Sequence, residues 1–328
     1  MFQQIKDCMA FWSMIFFLLG FILFLCRKLE NLIRSFKVGE IKEKRVLITG
    51  CDSGFGYQLA KRLDSKGLYV IALCLHDHSC TRLKSESSSK LRAFQVDVSK
   101  EEEIEQLKCL LREELEEKGL HALVNNAGIS SSEAVAEIYW LKVGDFQEVF
   151  NVNVYPIVNF CKQFLPYLKR AKGRIVNMSS AAAKLADPIE TSIPYLTSKY
   201  AMAAYSDSLR ILLKLNNIPV SVHIIEPGMF RTNFMNSQEI MARIYKGLDR
   251  IQEKKLRKIF TDVANDQAKT LRERLERKFP PDSTPVIDCY ENAILSIWPK
   301  KRSSVNASGS ILLSYCPSWL SDDILLDI

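Results

Sequence analysis

The stretch Arg45-Val-Leu-Ile-Thr-Gly-Cys-Asp-Ser-Gly-Phe-Gly-Tyr-Gln-Leu-Ala-Lys-Arg-Leu63 decides the fold of this chain. Its first five residues form a short apolar run that predicts a buried strand, and its last seven have a helical pattern. Glycines at positions 50, 54 and 56 lie between the two. Such a turn lets a backbone approach a pyrophosphate, whose charge then faces the helix N-terminus. Because the spacing is not the common G-x-G-x-x-G, a glycine-rich turn without a ligand explains this stretch equally well on its own.

Five more apolar runs follow along the chain, separated by helical patterns such as Lys100 to Lys118 and Val143 to Lys169. Strands that alternate with helices predict an α/β domain of the Rossmann type, with a doubly wound parallel sheet. Ligands of such folds bind at the carboxyl ends of the strands. The runs are Tyr69 to Leu75, Leu91 to Val96, Ala122 to Val124, Arg174 to Val176 and Val220 to Ile225.

Polar or glycine-containing segments follow most of these predicted strands. They are expected to meet at one edge of the sheet, because parallel strands end together. The segments are Gly50 to Gly56, Asp97, Asn125-Asn-Ala-Gly128, Ser180 and Pro227-Gly228.

Tyr195 and Lys199 are the candidates for acid–base chemistry. If the segment after Tyr195 is helical, the phenol and the ammonium lie on one face of the helix. A tyrosine has an ordinary pKa of about 10, so it needs a nearby positive charge to act as a base at neutral pH. Ser180, at the end of the preceding strand, could orient the oxygen of an alcohol or carbonyl substrate. An isolated Y-x-x-x-K match is more simply an ordinary solvated helix face, and only its position in the predicted sheet favours a site.

The amino terminus predicts a membrane anchor. Nineteen residues from Cys8 to Cys26 carry no charge, and as a helix they would span about 28 Å, close to the thickness of a bilayer core. A cleaved signal peptide is the alternative, but no small-x-small site follows. Basic residues after the segment outnumber the single Lys6 before it, which predicts a cytosolic catalytic domain. We therefore expect an anchor at 1–26, a charged linker at 27–44 and one catalytic domain at 45–328.

Composition narrows the classes of function. The chain has 328 residues, a formal net charge of +7 and nine scattered cysteines without a C-x-x-C pair. Neither a disulfide framework nor a zinc site is predicted, and His76-x-His78 is interpreted as exposed loop polarity. No block of Lys and Arg has interleaved aromatic residues, which argues against nucleic-acid binding.

Several ordered motifs resemble the short-chain dehydrogenase/reductase family over roughly residues 44 to 320. Three of them resemble its retinol dehydrogenase and 17β-hydroxysteroid dehydrogenase branch. These are Thr49-Gly-Cys-Asp-Ser-Gly-Phe-Gly56, the pair Ser198-Lys-Tyr-Ala and Ser206-Asp-Ser-Leu-Arg210, and Ile225-Glu-Pro-Gly-Met-Phe-Arg-Thr232.

The resemblance implies catalytic roles for four residues. Tyr195 would be the general base or acid, and Lys199 would lower its pKa and bind the nicotinamide ribose. Ser180 would position the reacting oxygen of the substrate, and Asn153 would hold a water molecule of the proton relay. The stretch from Ser180 to Tyr195 is two or three residues longer than is usual in the family, so Ser179 is kept as the alternative to Ser180.

The resemblance also implies a dinucleotide site. Asp97 would meet the adenine, Asn125 to Gly128 would brace the sheet, and Thr232 would contact the carboxamide. At the end of the second strand, Ala72 to Leu75, there is neither an acidic residue nor an Arg. Asp52 would repel a 2′-phosphate, so NAD is favoured over NADP. The full set expected to bind the cofactor is Gly50, Asp52, Ser53, Gly54, Phe55, Gly56, Asp97, Asn125, Ala127, Gly128, Tyr195, Lys199, Pro227 and Thr232.

The substrate is expected to lie under a helical lid at about 233–284. Apolar stripes there could cover a lipophilic substrate or simply pack the lid onto the domain. With an anchor, a steroid or retinoid at the endoplasmic reticulum membrane is the favoured interpretation, and the resemblance implies a homodimer or homotetramer. Two alternatives stay open: a dehydrogenase of a soluble short-chain hydroxy acid such as 3-hydroxybutyrate, and a catalytically silent sterol or lipid binder.

Overall fold

A seven-stranded parallel sheet forms the centre of the molecule, with strand order β3-β2-β1-β4-β5-β6-β7. All six neighbouring pairs are parallel. The computed structural model describes residues 2–130, 137–184, 192–230, 237–277 and 280–306. The doubly wound α/β prediction is confirmed. The strands are β1 (Arg45–Thr49), β2 (Tyr69–Cys74), β3 (Leu91–Gln95), β4 (Ala122–Asn125), β5 (Arg174–Met178), β6 (Ser221–Pro227) and β7 (Arg302–Val305).

Helices cover both faces of the sheet. Because side chains alternate along a strand, Val46 and Ile48 of β1 pack on one face with Leu59, while Leu47 packs on the other with Phe160. Each such buried side chain contributes about 1.5–3 kcal/mol to folding. The helices are α1 (Phe2–Ser35), α2 (Gly54–Ser65), α3 (Asp77–Ser85), α4 (Glu101–Lys118), α5 (Glu137–Trp140), α6 (Val143–Asn153), α7 (Tyr155–Ala171), α8 (Ile193–Leu215), α9 (Ser237–Leu248), α10 (Lys254–Arg277) and α11 (Thr284–Leu295).

The helical pattern from Val143 to Lys169 predicts one helix, but the structure has two, α6 and α7, which meet at Val154. Pro156 has no N–H to continue the hydrogen-bond ladder across this point. At the end of α6, the side chain of Asn153 binds the backbone N–H and carbonyl of Ile129. The break therefore fixes Asn153 beside the loop that follows β4.

The lid helices have a small core of their own. Ile244 and Leu248 of α9 pack with Trp140 and Ala264. Arg250 donates to both carboxylate oxygens of Asp145 at 2.9 Å, which ties the lid to α6. Ile244 and Leu248 therefore serve packing, whereas Tyr245, Ile259 and Val263 of the predicted apolar stripes are exposed.

The amino-terminal helix α1 is one continuous element and is long and apolar enough to cross a membrane. An 18-residue window within Phe11–Ser35 has a mean hydropathy of 1.8, and none of that window is buried. Residues 27–44, interpreted from the sequence as a charged linker, continue α1 to Ser35 and then contact the domain. Val38 N–H donates to the carbonyl of Leu295 at 2.7 Å.

Two buried histidines stand at or beside the amino ends of β4 and β6. A ring nitrogen of His121 lies 2.9 Å from the carbonyl of Ile294, and one of His223 lies 2.7 Å from the carbonyl of Lys300. Burial lowers the pKa of each to about 4. Both imidazoles are thus neutral in the folded protein near neutral pH.

We predict that these histidines destabilise the fold in mild acid. Since their folded pKa lies below the ordinary value of about 6.5, only the unfolded chain takes up their protons as pH falls from 6.5 to 4. Each can remove about 3 kcal/mol by pH 4. Thermal melts in detergent should show that His121→Gln loses less stability over this range than the wild type does. The exposed His78→Gln is the control, and equal losses in wild type and His121→Gln would contradict the prediction.

Candidate active site

The turn after β1 can be built only with glycine at two positions. Gly50 has a φ of +70°, and a Cβ there would lie 2.8 Å from the Cα of Ala127. A Cβ at Gly56 would lie 2.3 Å from the carbonyl oxygen of Gly50. The first turn of α2 therefore packs directly against the end of β1. Its free N–H groups and positive dipole end are available to an anion.

Asn126 fastens this turn to the loop after β4. Its Nδ2 donates to the carbonyls of Thr49 and Gly50, each at 3.0 Å, and its Oδ1 accepts from the Tyr290 hydroxyl at 3.0 Å. The Thr49 hydroxyl oxygen accepts from the backbone N–H groups of Asn126 and Ala127, also at 3.0 Å. Sequence reasoning missed Asn126 and Tyr290 as individual residues. The one signal in the sequence was for Asn126, whose amide stands just after a predicted strand.

A cleft of about 550 Å³ opens at the carboxyl edge of the sheet. Twelve predicted site residues line it. Gly56, Asn125 and Asn153 are buried behind its wall, and Thr232 lies outside the described residues. The lining residues are Gly50, Asp52, Ser53, Gly54, Phe55, Asp97, Ala127, Gly128, Ser180, Tyr195, Lys199 and Pro227.

Tyr195 and Lys199 lie on the same face of α8, as the spacing predicts. The Ser192 hydroxyl oxygen accepts from the N–H of Tyr195 and caps the start of the helix. The Nζ of Lys199 lies 5.4 Å from the centre of the Tyr195 ring and donates to the carbonyl of Met178 at 3.1 Å. Burial lowers the pKa of Lys199 to about 8. The Lys199 amine in the cleft therefore loses its proton more readily than an ordinary lysine does.

Asn153 joins three elements behind this pair. Its Oδ1 accepts from Ile129 N–H at 2.8 Å, and its Nδ2 donates to the Ile129 carbonyl at 2.9 Å and to the Ser198 hydroxyl at 3.0 Å. A Cβ at Gly128 would lie 3.4 Å from Asn153 Oδ1 and 3.5 Å from Lys199 Nζ. Gly128 therefore lies next to both Asn153 and Lys199.

Ser179 and Ser180 both line the cleft, and they differ in solvent exposure. Ser180 is half-buried, and its Oγ accepts from the N–H of Ala182 at 3.1 Å, so its proton remains available for donation. Ser179 is 1% exposed, and within the described residues its Oγ has no hydrogen-bond partner. Residues 185–191, half of the stretch between Ser180 and Tyr195, lie outside the described part of the chain.

Two carboxylates occupy the end of the cleft beside β2 and β3. Asp52 accepts from the N–H groups of Leu75 at 2.8 Å and His76 at 3.1 Å. Asp97 accepts from both the N–H and the hydroxyl of Ser99. This end of the cleft therefore carries two carboxylates, with Arg82 beside Asp52 and Lys100 beside Asp97.

Asn125 does not reach the cleft. Its Nδ2 donates to Asn177 Oδ1 at 2.7 Å inside the sheet, and Asn177 Nδ2 donates to the Ser206 hydroxyl at 2.8 Å. This chain of hydrogen bonds links β4 and β5 to α8, the helix that carries Tyr195 and Lys199. Asn125 therefore contacts the sheet and not a ligand in the cleft.

The family model for short chain dehydrogenases matches residues 44–242. Dehydrogenase/reductase SDR family member 9 of Homo sapiens is 33% identical over 319 residues, covering 95% of this chain and 96% of its own. Retinol dehydrogenase 7 of Rattus norvegicus is 35% identical over 304 residues, with 90% and 93% covered. For 17-beta-hydroxysteroid dehydrogenase type 6 of Bos taurus, the identity is 35% over 294 residues, with 88% and 89% covered.

Two solved structures share the fold. A short-chain dehydrogenase from Streptomyces avermitilis has a TM-score of 0.62 at 19% identity and covers 87% of this chain and 94% of its own. The 3-ketoacyl-(acyl-carrier-protein) reductase from Brucella melitensis, complexed with NADH, has a TM-score of 0.60 at 20% identity, with 82% and 98% covered. The family model and these relatives show that this chain belongs to the short-chain dehydrogenase family.

Proposed function

We propose that this protein is a membrane-associated, NAD-dependent oxidoreductase that interconverts a lipophilic alcohol, a hydroxysteroid or retinol, and its carbonyl compound. The observation that carries the proposal is the buried Lys199 ammonium beside the Tyr195 ring, in a cleft that also contains the glycine turn. The similarity to a retinol dehydrogenase and to a 17-beta-hydroxysteroid dehydrogenase supports the substrate class.

The described residues fit a nicotinamide dinucleotide. The N-terminus of α2 and the glycine turn would hold the pyrophosphate, and Lys199 would bind the nicotinamide ribose. When bound, the nicotinamide ring supplies hydride transfer. The negative charge of Asp52 and Asp97 at the far end of the cleft would repel a 2′-phosphate, which favours NAD over NADP.

The chain's own residues would move the proton. In alcohol oxidation, the Tyr195 phenolate, which the adjacent Lys199 ammonium stabilises, takes the proton of the substrate hydroxyl and becomes the neutral phenol. The Ser180 hydroxyl donates to the substrate oxygen and fixes its distance from Tyr195. Asn153 lies across Gly128 from Lys199, where it would hold a water molecule that passes the proton onward.

The chemistry of the cleft favours an uncharged substrate. Among the described residues that line it, Lys199 is the one Lys or Arg, and this residue already binds the Met178 carbonyl. Within the described residues, the carboxylate of a short hydroxy acid such as 3-hydroxybutyrate would therefore lack a cation of its own. Apolar side chains of Val152, Met229 and Phe230 line the same space.

The membrane part of the proposal depends on α1. The apolar helix is followed by more basic residues than precede it, which supports a cytosolic catalytic domain at the endoplasmic reticulum. Steroids and retinoids concentrate in bilayers, so an anchored enzyme stays close to its substrate.

We predict that Tyr195→Phe abolishes turnover and leaves cofactor binding intact. Without the hydroxyl there is no group to exchange the substrate proton, and general acid–base catalysis contributes about 10²–10⁴-fold. The test is NADH production by detergent-solubilised protein with hydroxysteroids, retinols and 3-hydroxybutyrate, alongside NADH binding by fluorescence.

The control is Tyr200→Phe, which changes a 41% exposed tyrosine of the same helix and should retain activity. A Tyr195→Phe enzyme as fast as wild type would overturn the mechanism. NAD binding without turnover of any compound by the wild type would instead favour a catalytically silent binder.

A second prediction separates the two serines. Ser180→Ala should lower kcat/KM by about tenfold or more, since a hydrogen bond that orients the reacting oxygen is lost. Ser179→Ala should change it little, because its buried Oγ has no partner among the described residues. Steady-state kinetics of both variants decide the question, and the reverse order would transfer the role to Ser179.

A third prediction concerns the cost of burying Lys199. Its folded pKa of about 8 lies below the ordinary value of about 10.4, so its burial costs about 3 kcal/mol near pH 7. As pH rises from 8 towards 10.4, the unfolded chain loses this proton too, and the cost disappears.

Lys199→Met should therefore be more stable than the wild type at pH 7, and this difference in stability should disappear by pH 10. The variant should be inactive. Thermal melts across this pH range measure the difference. Lys214→Met, at an exposed position of the same helix, should show a difference from wild type that does not change with pH. A Lys199→Met difference that is constant with pH would refute the account.

A further inference from the structure

The end of α1 is fixed to the domain through Arg34. Its Nη1 donates to the carbonyl of Trp298 at 2.7 Å, and its guanidinium lies 4.8 Å from the centre of the Trp298 ring. The Nε of Arg34 donates to Glu30 at 3.0 Å, one turn back in α1. The Arg34 side chain is only 13% exposed. A helix joined by a flexible tether would not need these contacts.

The chain that leaves α1 then pairs with the end of α11. Val38 N–H donates to the Leu295 carbonyl at 2.7 Å, and Ile297 N–H donates to the Phe36 carbonyl at 2.9 Å. Lys37 forms an ion pair with Glu291. These bonds on both sides of Lys37 leave little freedom between the helix and the domain.

Buried side chains at the amino edge of the sheet hold the same segment from beneath. Arg174, at the start of β5, donates to the carbonyls of Ala293 at 2.8 Å and Ser296 at 2.6 Å. His121 and His223 bind the carbonyls of Ile294 and Lys300, as described above. The segment from 293 to 300 is therefore held at four carbonyl groups.

This rigid segment nevertheless presents large apolar side chains to the outside. Phe36 is 55% exposed, Ile297 52% and Trp298 51%. Two exposed lysines, Lys300 and Lys301, follow directly. Tryptophan beside basic residues is typical of the boundary between the acyl chains and headgroups of a bilayer, and lysines there attract anionic lipid.

We propose that Phe36, Ile297 and Trp298, the collar, rest in the headgroup layer of the bilayer that α1 enters. The proposal rests on the proposed membrane insertion of α1. Continuity identifies the occupant, because Phe36 directly follows the last residue of α1 and Arg34 binds Trp298 to that helix. Phe36 lies ten residues beyond Cys26, about 15 Å along the helix, so the collar reaches the headgroup layer when α1 tilts toward the side that carries it.

Docking through the collar also fixes the direction in which the domain faces. The collar lies at the amino edge of the sheet, next to the starts of β4, β5 and β6. The cleft lies at the carboxyl edge of the same parallel strands. The cleft then opens away from the bilayer surface.

The test uses the full chain in vesicles whose lipids carry bromine on the acyl chains near the headgroup, which quenches tryptophan fluorescence on contact. Three of the four tryptophans are replaced by Phe in each single-tryptophan variant. The Trp298 variant should lose most of its fluorescence, and the Trp140 variant should keep it, since Trp140 is buried in the lid core. Adding Arg34→Gln to the Trp298 variant should weaken the quenching.

The Trp12 variant reports on the anchor separately, because Trp12 lies within α1. Quenching of Trp12 without quenching of Trp298 would overturn the collar and leave the anchor standing. Absence of both would overturn the collar together with membrane insertion. A Trp298 that is protected from aqueous iodide and not quenched by the brominated lipid is covered by protein, such as a second copy of this chain, which also overturns the proposal.

Discussion

The rest of the site depends on one constraint, the burial of the Lys199 ammonium against the Tyr195 ring. A charged amine removed from water is unfavourable unless it is hydrogen-bonded, and here Lys199 binds the carbonyl of Met178 at the end of β5. That carbonyl is in the right place because β5 lies in the middle of a parallel sheet that is buried on both faces. The surrounding fold therefore offsets the cost of a group that is placed for chemistry.

A network of hydrogen bonds behind Lys199 starts from Asn153. The interruption between α6 and α7 brings Asn153 to the loop after β4, where its side chain binds Ile129. Ser198, one residue before Lys199, accepts from Asn153 and donates to the carbonyl of Tyr195. One network of short polar contacts thus fixes both the start of α8 and the loop opposite it.

The sequence predicts those parts that depend on local pattern. Apolar periodicity identified six of the seven strands, and the four-residue spacing placed Tyr195 and Lys199 on one face. It missed β7, which has only four residues, two of them serines. It also missed Asn126 and Tyr290, because their hydrogen bond joins residues 164 positions apart. The charge of residues 27–44 indicated a linker. The contact of this segment with the domain was missed, because nothing in the local pattern shows that Arg34 binds Trp298.

The amino and carboxyl edges of the sheet differ in their contacts. This difference affects how a lipophilic substrate would reach the enzyme. At the amino edge, Arg174 and two neutral histidines hold backbone carbonyls beside the end of α1. At the carboxyl edge, glycines and Lys199 leave a cleft. If the amino edge rests on the bilayer, a substrate cannot slide sideways from the membrane into the cleft, because the height of the sheet lies between them. The anchor would then raise the local concentration of substrate near the protein, and the lid helices at the carboxyl edge would have to receive it from solution or from another protein.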